Sequence, residues 1–159
     1  PKGITYTHSY EEIQSLFSLA TAKKLAPSIS IFEPGFLRTV LAYRLRGHLP
    51  RGAFIKLYFG DRLIFGFPPT QTALKAYLEL LEDSKLPWGV AVLGGDVIAS
   101  GIAETALKLG GHLRVGLEDY NGQRTPSNKE LVLEAIALCT KVGRPLANRQ
   151  DVRKILGFP

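Results

Sequence analysis

The hydrophobic period of this chain changes repeatedly along its length, and that alternation restricts its fold more than any other feature. Four short runs, residues 29–32, 54–59, 88–93 and 112–117, are rich in β-branched and aromatic residues and are punctuated by Gly or Pro. Such runs read as buried strands. Between them, apolar residues recur at helical spacing. Residues 10–25 place Ile13, Leu16, Phe17 and Ala20 on one face. Residues 70–83 do so with Leu74, Tyr77, Leu78 and Leu81, and residues 127–142 with Leu131, Ala135, Leu138 and Val142. Each predicts a helix with one buried side. Residues 36–47, 97–109 and 151–156 are weaker or shorter helical patterns. Residues 4–7 read either as a fifth strand or as an extended lead-in. Strand followed by helix, repeated, predicts an α/β chain with a parallel sheet.

The boundaries agree with that reading. Ser127-Asn128-Lys129-Glu130 has the spacing of a capping box. Thr70, behind Pro68-Pro69, is placed as an N-cap. Gly47, Gly110-Gly111 and Gly143 follow predicted helix ends, where left-handed backbone is wanted. Without a linker or low-complexity tract, the 159 residues are expected to form a single domain.

Composition narrows the class. At 45% hydrophobic and 21% charged residues, the chain is neither disordered nor collagen-like. No apolar run approaches the ~20 residues of a membrane span. Pro1-Lys2-Gly3-Ile4-Thr5 lacks the apolar core of a secretory signal. The single cysteine, Cys139, excludes an internal disulfide and fits a reducing cytoplasm. Its place on an apolar helix face marks it as a small core residue. A net charge of +6 attracts anions. The basic residues are nevertheless scattered, in short pairs such as Lys23-Lys24 and Arg153-Lys154. They form no basic helix face interleaved with aromatics, so neither nucleic acid nor membrane is expected as a partner. The absence of methionine predicts a segment of a longer translated product.

Parallel sheets place their chemistry at the carboxyl ends of the strands. That rule selects Glu33-Pro34-Gly35, Gly60-Asp61, Gly94-Gly95-Asp96 and Glu118-Asp119. The richest stretch runs from Gly110 to Asp119. Strand alternation would put Arg114, Gly116 and Glu118 on one face and Val115, Leu117 and Asp119 on the other. Arg114 and Glu118 would then share the interior of a barrel, with Asp119 at its rim. Charges there are costly unless paired or bound to a cation, and a structural ion pair accounts for the pattern equally well. Gly94-Gly95 before a helix would let a ligand approach backbone N–H groups, although a tight turn is the simpler explanation. Phe65-Gly66-Phe67-Pro68-Pro69-Thr70 reads either as a rigid loop carrying aromatics into a site or, more simply, as a surface connection with two buried Phe residues. His8, His48 and His112 show no metal-ligand spacing. His48 is expected at the surface, and His112 at the amino end of its strand.

Several motifs carry a more specific signal. They are Phe32-Glu33-Pro34-Gly35-Phe36-Leu37, the stretch from Leu86 to Asp96, Gly110-Gly111-His112-Leu113-Arg114-Val115-Gly116-Leu117-Glu118-Asp119, and Thr125-Pro126-Ser127-Asn128-Lys129-Glu130-Leu131-Val132 followed by Gly143-Arg144-Pro145. Together they resemble the β-keto acid cleavage enzymes, which include 3-keto-5-aminohexanoate cleavage enzyme, over nearly the whole chain. The resemblance implies a (β/α)8 TIM barrel of which this chain supplies roughly the last four βα units. It implies a divalent metal, usually zinc, and acetyl-CoA as co-substrate. A β-keto acid would be condensed and cleaved to acetoacetate and an acyl-CoA. Glu118 becomes a zinc ligand by this resemblance, and Arg114 and Asp119 become groups that activate or orient the substrate. Gly94 and Gly95 are expected beside substrate or CoA. A zinc ion with open positions would polarise the keto group and stabilise an enolate.

Two departures from the family accompany the resemblance. The His-x-His motif that supplies the other two zinc ligands is absent, and Ser30 stands where the fifth strand often carries an acid. Glu33 is the nearest acid and inherits no role. Four strands cannot close an eight-stranded barrel. The chain is therefore expected in an obligate complex, with a missing amino-terminal half or a complementary chain, as an oligomer. Two functions stand side by side: a zinc-dependent cleavage enzyme, and a non-catalytic half-barrel binding or assembly module without a complete metal site.

Overall fold

The computed structural model describes residues 7–158. Its elements are α1 (Tyr10–Ala22), β1 (Ser28–Ile31), α2 (Pro34–Leu45), β2 (Phe54–Gly60), α3 (Gln71–Leu81), β3 (Trp88–Leu93), α4 (Ile102–Lys108), β4 (His112–Leu113), α5 (Asn128–Lys141) and α6 (Arg149–Ile155). A 3-10 turn, Glu82–Ser84, extends α3. The strands form one parallel sheet in chain order, β1-β2-β3-β4. This is a four-unit α/β sheet of the kind found in half of a TIM barrel. All but Thr7 of the predicted segment 4–7 lies outside the described residues.

Period-2 alternation divides the sheet into two faces. Register places Ile31 opposite Leu57, Leu57 opposite Val90, and Val90 opposite Leu113. These residues, with Ile55, Phe59 and Val92, meet Leu37 and Val40 of α2, Leu74 and Tyr77 of α3, and Ile102 and Ala103 of α4. That single core accounts for most of the burial, and each large side chain in it contributes about 1.5–3 kcal/mol. The other face carries Ser30, Lys56, Tyr58, Ala91 and Arg114, none of which belongs to this core.

Local signals set the helix starts. The Thr70 hydroxyl accepts from Ala73 N–H at 3.2 Å. Ser127 and Glu130 form the predicted capping box. Two further boxes, Ser9 with Glu12 and Asn148 with Asp151, open α1 and α6. The same four-residue spacing is present there in the sequence, and for α6 it locates the start better than periodicity does. Gly47, Gly110 and Gly143 all have positive φ after helix ends.

Three expectations change. Helix α1 buries no residue, and Leu16 is 52% exposed. It meets α2 through an edge-to-face contact of Phe17 with Tyr43 at 5.2 Å. Helix α4 begins at Ile102 rather than near residue 97. Asp96 instead accepts from the N–H groups of Ile98 and Ala99, and Gly101 takes a positive φ. Finally, β4 stops at Leu113 instead of running to residue 117. Arg114 N–H still donates to Val90 C=O at 2.9 Å. The chain then turns at Gly116, whose carbonyl accepts from Asp119 and Tyr120 N–H. Among the described residues, no helix is long and apolar enough to cross a membrane.

Candidate functional site

The carboxyl ends of the strands carry all four predicted places, and hydrogen bonds stitch the loops together. Gly66 N–H donates to Glu33 Oε1 at 2.8 Å. Asp61 N–H donates to Leu93 C=O, Gly94 N–H to Asp119 C=O, and Asn121 N–H to Gly95 C=O. These bonds hold the loops as one rim above the sheet. The Phe65–Phe67 segment closes onto it. Phe65 packs edge-on against Phe32, and Phe67 against Tyr77.

Arg114 organises the charges at this rim. Its Nε donates to Asp119 Oδ2 at 2.6 Å, and a terminal nitrogen donates to Glu118. Bonding to Asp119 raises the guanidinium pKa further, so the cation is permanent. The two acids differ sharply in setting. The Asp119 side chain is 8% exposed, whereas that of Glu118 is 79% exposed. Continuous strand alternation predicted Glu118 inside and Asp119 at the rim. The turn at Gly116 reverses this, carrying Asp119 inward and Glu118 into solvent.

Gly94 and Gly95 lie at the end of β3, as predicted. Gly94 has φ 74°, which favours glycine. A Cβ at Gly95 would come within 2.6 Å of the Asp61 side chain. Because α4 starts several residues later, no helix N-terminus is aimed from this turn.

Two site residues escaped sequence reasoning. Lys56 and Tyr58 stand in β2 on the same face as Arg114. Tyr58 is buried and stacks on Phe32 at 4.6 Å, and the Lys56 ammonium lies 5.6 Å from the Tyr58 ring centroid. Burial pushes the Tyr58 hydroxyl pKa up, and the Asp119 charge adds to it. Burial pushes the Lys56 ammonium pKa down, and so does the Arg114 charge. The available signal was period 2 within Phe54-Ile55-Lys56-Leu57-Tyr58-Phe59, which sets a lysine opposite the apolar face.

The expected zinc site is corrected by the donor set. Among the described residues there is no group of three or more His, Cys, Asp or Glu placed to hold a metal ion. Glu118, the predicted ligand, is solvent-exposed and bonded to Arg114. Its neighbour Asp119 is bonded to the same guanidinium. His112 lies at the opposite end of the strands, 5.8 Å from the Phe54 ring, with its pKa lowered by burial and then by Arg144. His48 is exposed, as expected. A guanidinium occupying both neighbouring carboxylates is a poor start for a divalent cation site. Zinc as cofactor, the metal-ligand role of Glu118 and the zinc-dependent cleavage reaction are therefore withdrawn.

Comparison with known proteins places these features in a family context. A family profile described as beta-keto acid cleavage enzyme matches residues 2–158. The chain is 30% identical over 144 residues to a 3-oxoadipate:acetyl-CoA acetyltransferase of Cupriavidus necator, covering 87% of this chain and 49% of that protein. It is 24% identical over 161 residues to a 3-keto-5-aminohexanoate cleavage enzyme of Fusobacterium nucleatum, covering 96% and 55%. A second enzyme of that description, from Acetoanaerobium sticklandii, is 42% identical over 61 residues, covering 36% of this chain and 22% of that protein. The chain spans about half the length of the first two relatives.

Proposed function

We propose, because this chain belongs to the β-keto acid cleavage enzyme family, that it is a half-barrel binding and assembly module without a complete metal site of its own. One observation carries the reading. The helix-packed core lies on one face of the sheet, while the opposite face presents Lys56, Tyr58 and Arg114. Each edge strand, β1 and β4, pairs with a single neighbour among the described residues. Open edges and a polar inner face favour pairing with a complementary set of strands. The single-domain, carboxyl-terminal-half reading of residues 1–159 belongs to this proposal, as does oligomeric assembly.

The ligand in this reading is a small keto acid or an acyl-CoA-type molecule, a class supported by family membership and by the relatives' names. Arg114 and Asp119 orient it from the rim, Arg114 holding Asp119 in place by the 2.6 Å bond. Gly94 and Gly95 border its path at the carboxyl end of β3. The one cysteine supports a reducing, cytoplasmic setting.

The test is the mass in solution, by light scattering, with calorimetric titration of acetoacetate and acetyl-CoA. The expected species is larger than 17.4 kDa, through self-association or a co-purifying partner, and it binds at least one of the two. A monodisperse monomer that binds neither would refute the proposal.

A further inference from the structure

The open face of the sheet holds two cations, and among the described residues only one of them is in direct contact with an acid. Arg114 commits its Nε to Asp119 and a terminal nitrogen to Glu118, so both acids are already engaged. Lys56 lies one register row toward the amino ends, opposite Ser30 on β1 and Gly89 on β3. No described carboxylate lies within 4 Å of its ammonium. Its neighbour is the Tyr58 ring face at 5.6 Å.

That setting is unusual for a lysine. Lysine is rarely placed inside a parallel sheet for packing, because its charge must be desolvated there. Lys56 is half-buried on the face opposite the helix-packed core, and its ammonium carries three N–H donors. Gly89 beside it is buried, with the Phe54 ring and the His112 carbonyl filling the space where a side chain would stand, which closes that flank. Burial first, and then the Arg114 charge, disfavour the cation, and the Asp119 and Glu118 charges offset only part of this. A bound anion would offset both costs.

We propose that Lys56 is the carboxylate-recognition residue of this face. Its ammonium takes the carboxylate of a small keto acid, with the Tyr58 ring as one wall of the subsite. Arg114 stays committed to Asp119 and Glu118. The anion-holding role thus falls to a residue outside every motif, while Arg114 and Asp119 orient from the rim. Small size follows from the walls, since Phe32 stacks on Tyr58 and Phe65 packs on Phe32, closing the side of the face toward β1. The inference rests on the keto-acid reading above, and the experiment separates the two.

Wild type, Lys56→Gln and Lys56→Arg are titrated with acetoacetate and with its neutral methyl ester by calorimetry. The lysine Cε resonances are followed by NMR as acetate is added. Lys56→Gln is expected to weaken acetoacetate at least about tenfold, Lys56→Arg to restore most of it, and the ester to bind all three proteins alike. Equal acetoacetate affinity in wild type and Lys56→Gln overturns the inference and leaves the keto-acid reading standing. If wild type ignores acetoacetate while acetate raises the Lys56 titration midpoint, the carboxylate site stands and the keto-acid reading fails. If neither anion moves Lys56, the inference is overturned.

Discussion

Replacing Arg114 with Leu strips Asp119 of its counter-ion at a place where water has little access. The Asp119 side chain is 8% exposed and accepts the Arg114 Nε bond at 2.6 Å. Breaking a buried pair from one side costs about 3–5 kcal/mol, because the remaining charge stays desolvated. Arg114 itself is 33% exposed. Water can therefore enter part of the vacated volume, and the expected loss falls to about 2–3 kcal/mol. Glu118 bonds the same guanidinium, yet its side chain is 79% exposed, so Glu118→Gln should cost no more than about 0.5 kcal/mol. Replacing both buried partners, as Arg114→Leu with Asp119→Leu, should recover much of the loss, since no charge is left unpaired. Urea unfolding at pH 7 measures all four proteins, with a shared slope confirming comparable unfolded states. A Glu118→Gln cost equal to that of Arg114→Leu would refute the reasoning. It would mean that the two acids are equivalent and that the turn at Gly116 does not separate them.

Three further outcomes follow from single environments. Tyr77 is fully buried, its hydroxyl has no hydrogen-bond partner among the described residues, and its pKa is pushed up to about 12 by burial and then by Glu33. Tyr77→Phe should therefore be neutral or stabilise by up to about 1 kcal/mol in urea unfolding, and a loss larger than that would reveal a partner. The folded-state pKa of His112 is lowered, so below about pH 6.5 the unfolded chain binds the proton more readily and stability falls as pH drops. His112→Gln should flatten the stability–pH curve between about pH 5 and 7, and an unchanged slope would contradict the burial. A Cβ on Gly111 would run into the Trp88 ring, so Gly111→Ala should cost about 1–3 kcal/mol in thermal or urea unfolding, while a neutral result would show that Trp88 can move aside.

Much of the fold was legible because its determinants are local. The period of Ile55, Leu57 and Phe59 against Leu74, Tyr77 and Leu81 separates strand from helix without reference to the rest of the chain. A cap such as Ser127 with Glu130 acts within four residues. The site was less legible, since its geometry depends on where a strand stops. Alternation holds only while the ladder continues, and the ladder of β4 ends at Leu113. Alternation alone therefore places Glu118 in the interior, whereas the turn delivers Asp119 inward in its place.

The order of elements, the parallel sheet, the helix boundaries at Thr70, Ser127 and Gly143, and the family motifs were determined by the sequence itself. Each rests on period, capping or residue identity, which operate along the chain. The pairing of Arg114 with Asp119, the solvent position of Glu118 and the lack of a direct ion pair at Lys56 among the described residues were decided only by the tertiary structure. The first two depend on the turn at Gly116, and the setting of Lys56 on parallel register, which puts Ser30, Lys56 and Gly89 in one row though the chain separates them widely. They depend equally on burial, which makes Asp119 costly to leave without Arg114 and Glu118 nearly indifferent to it.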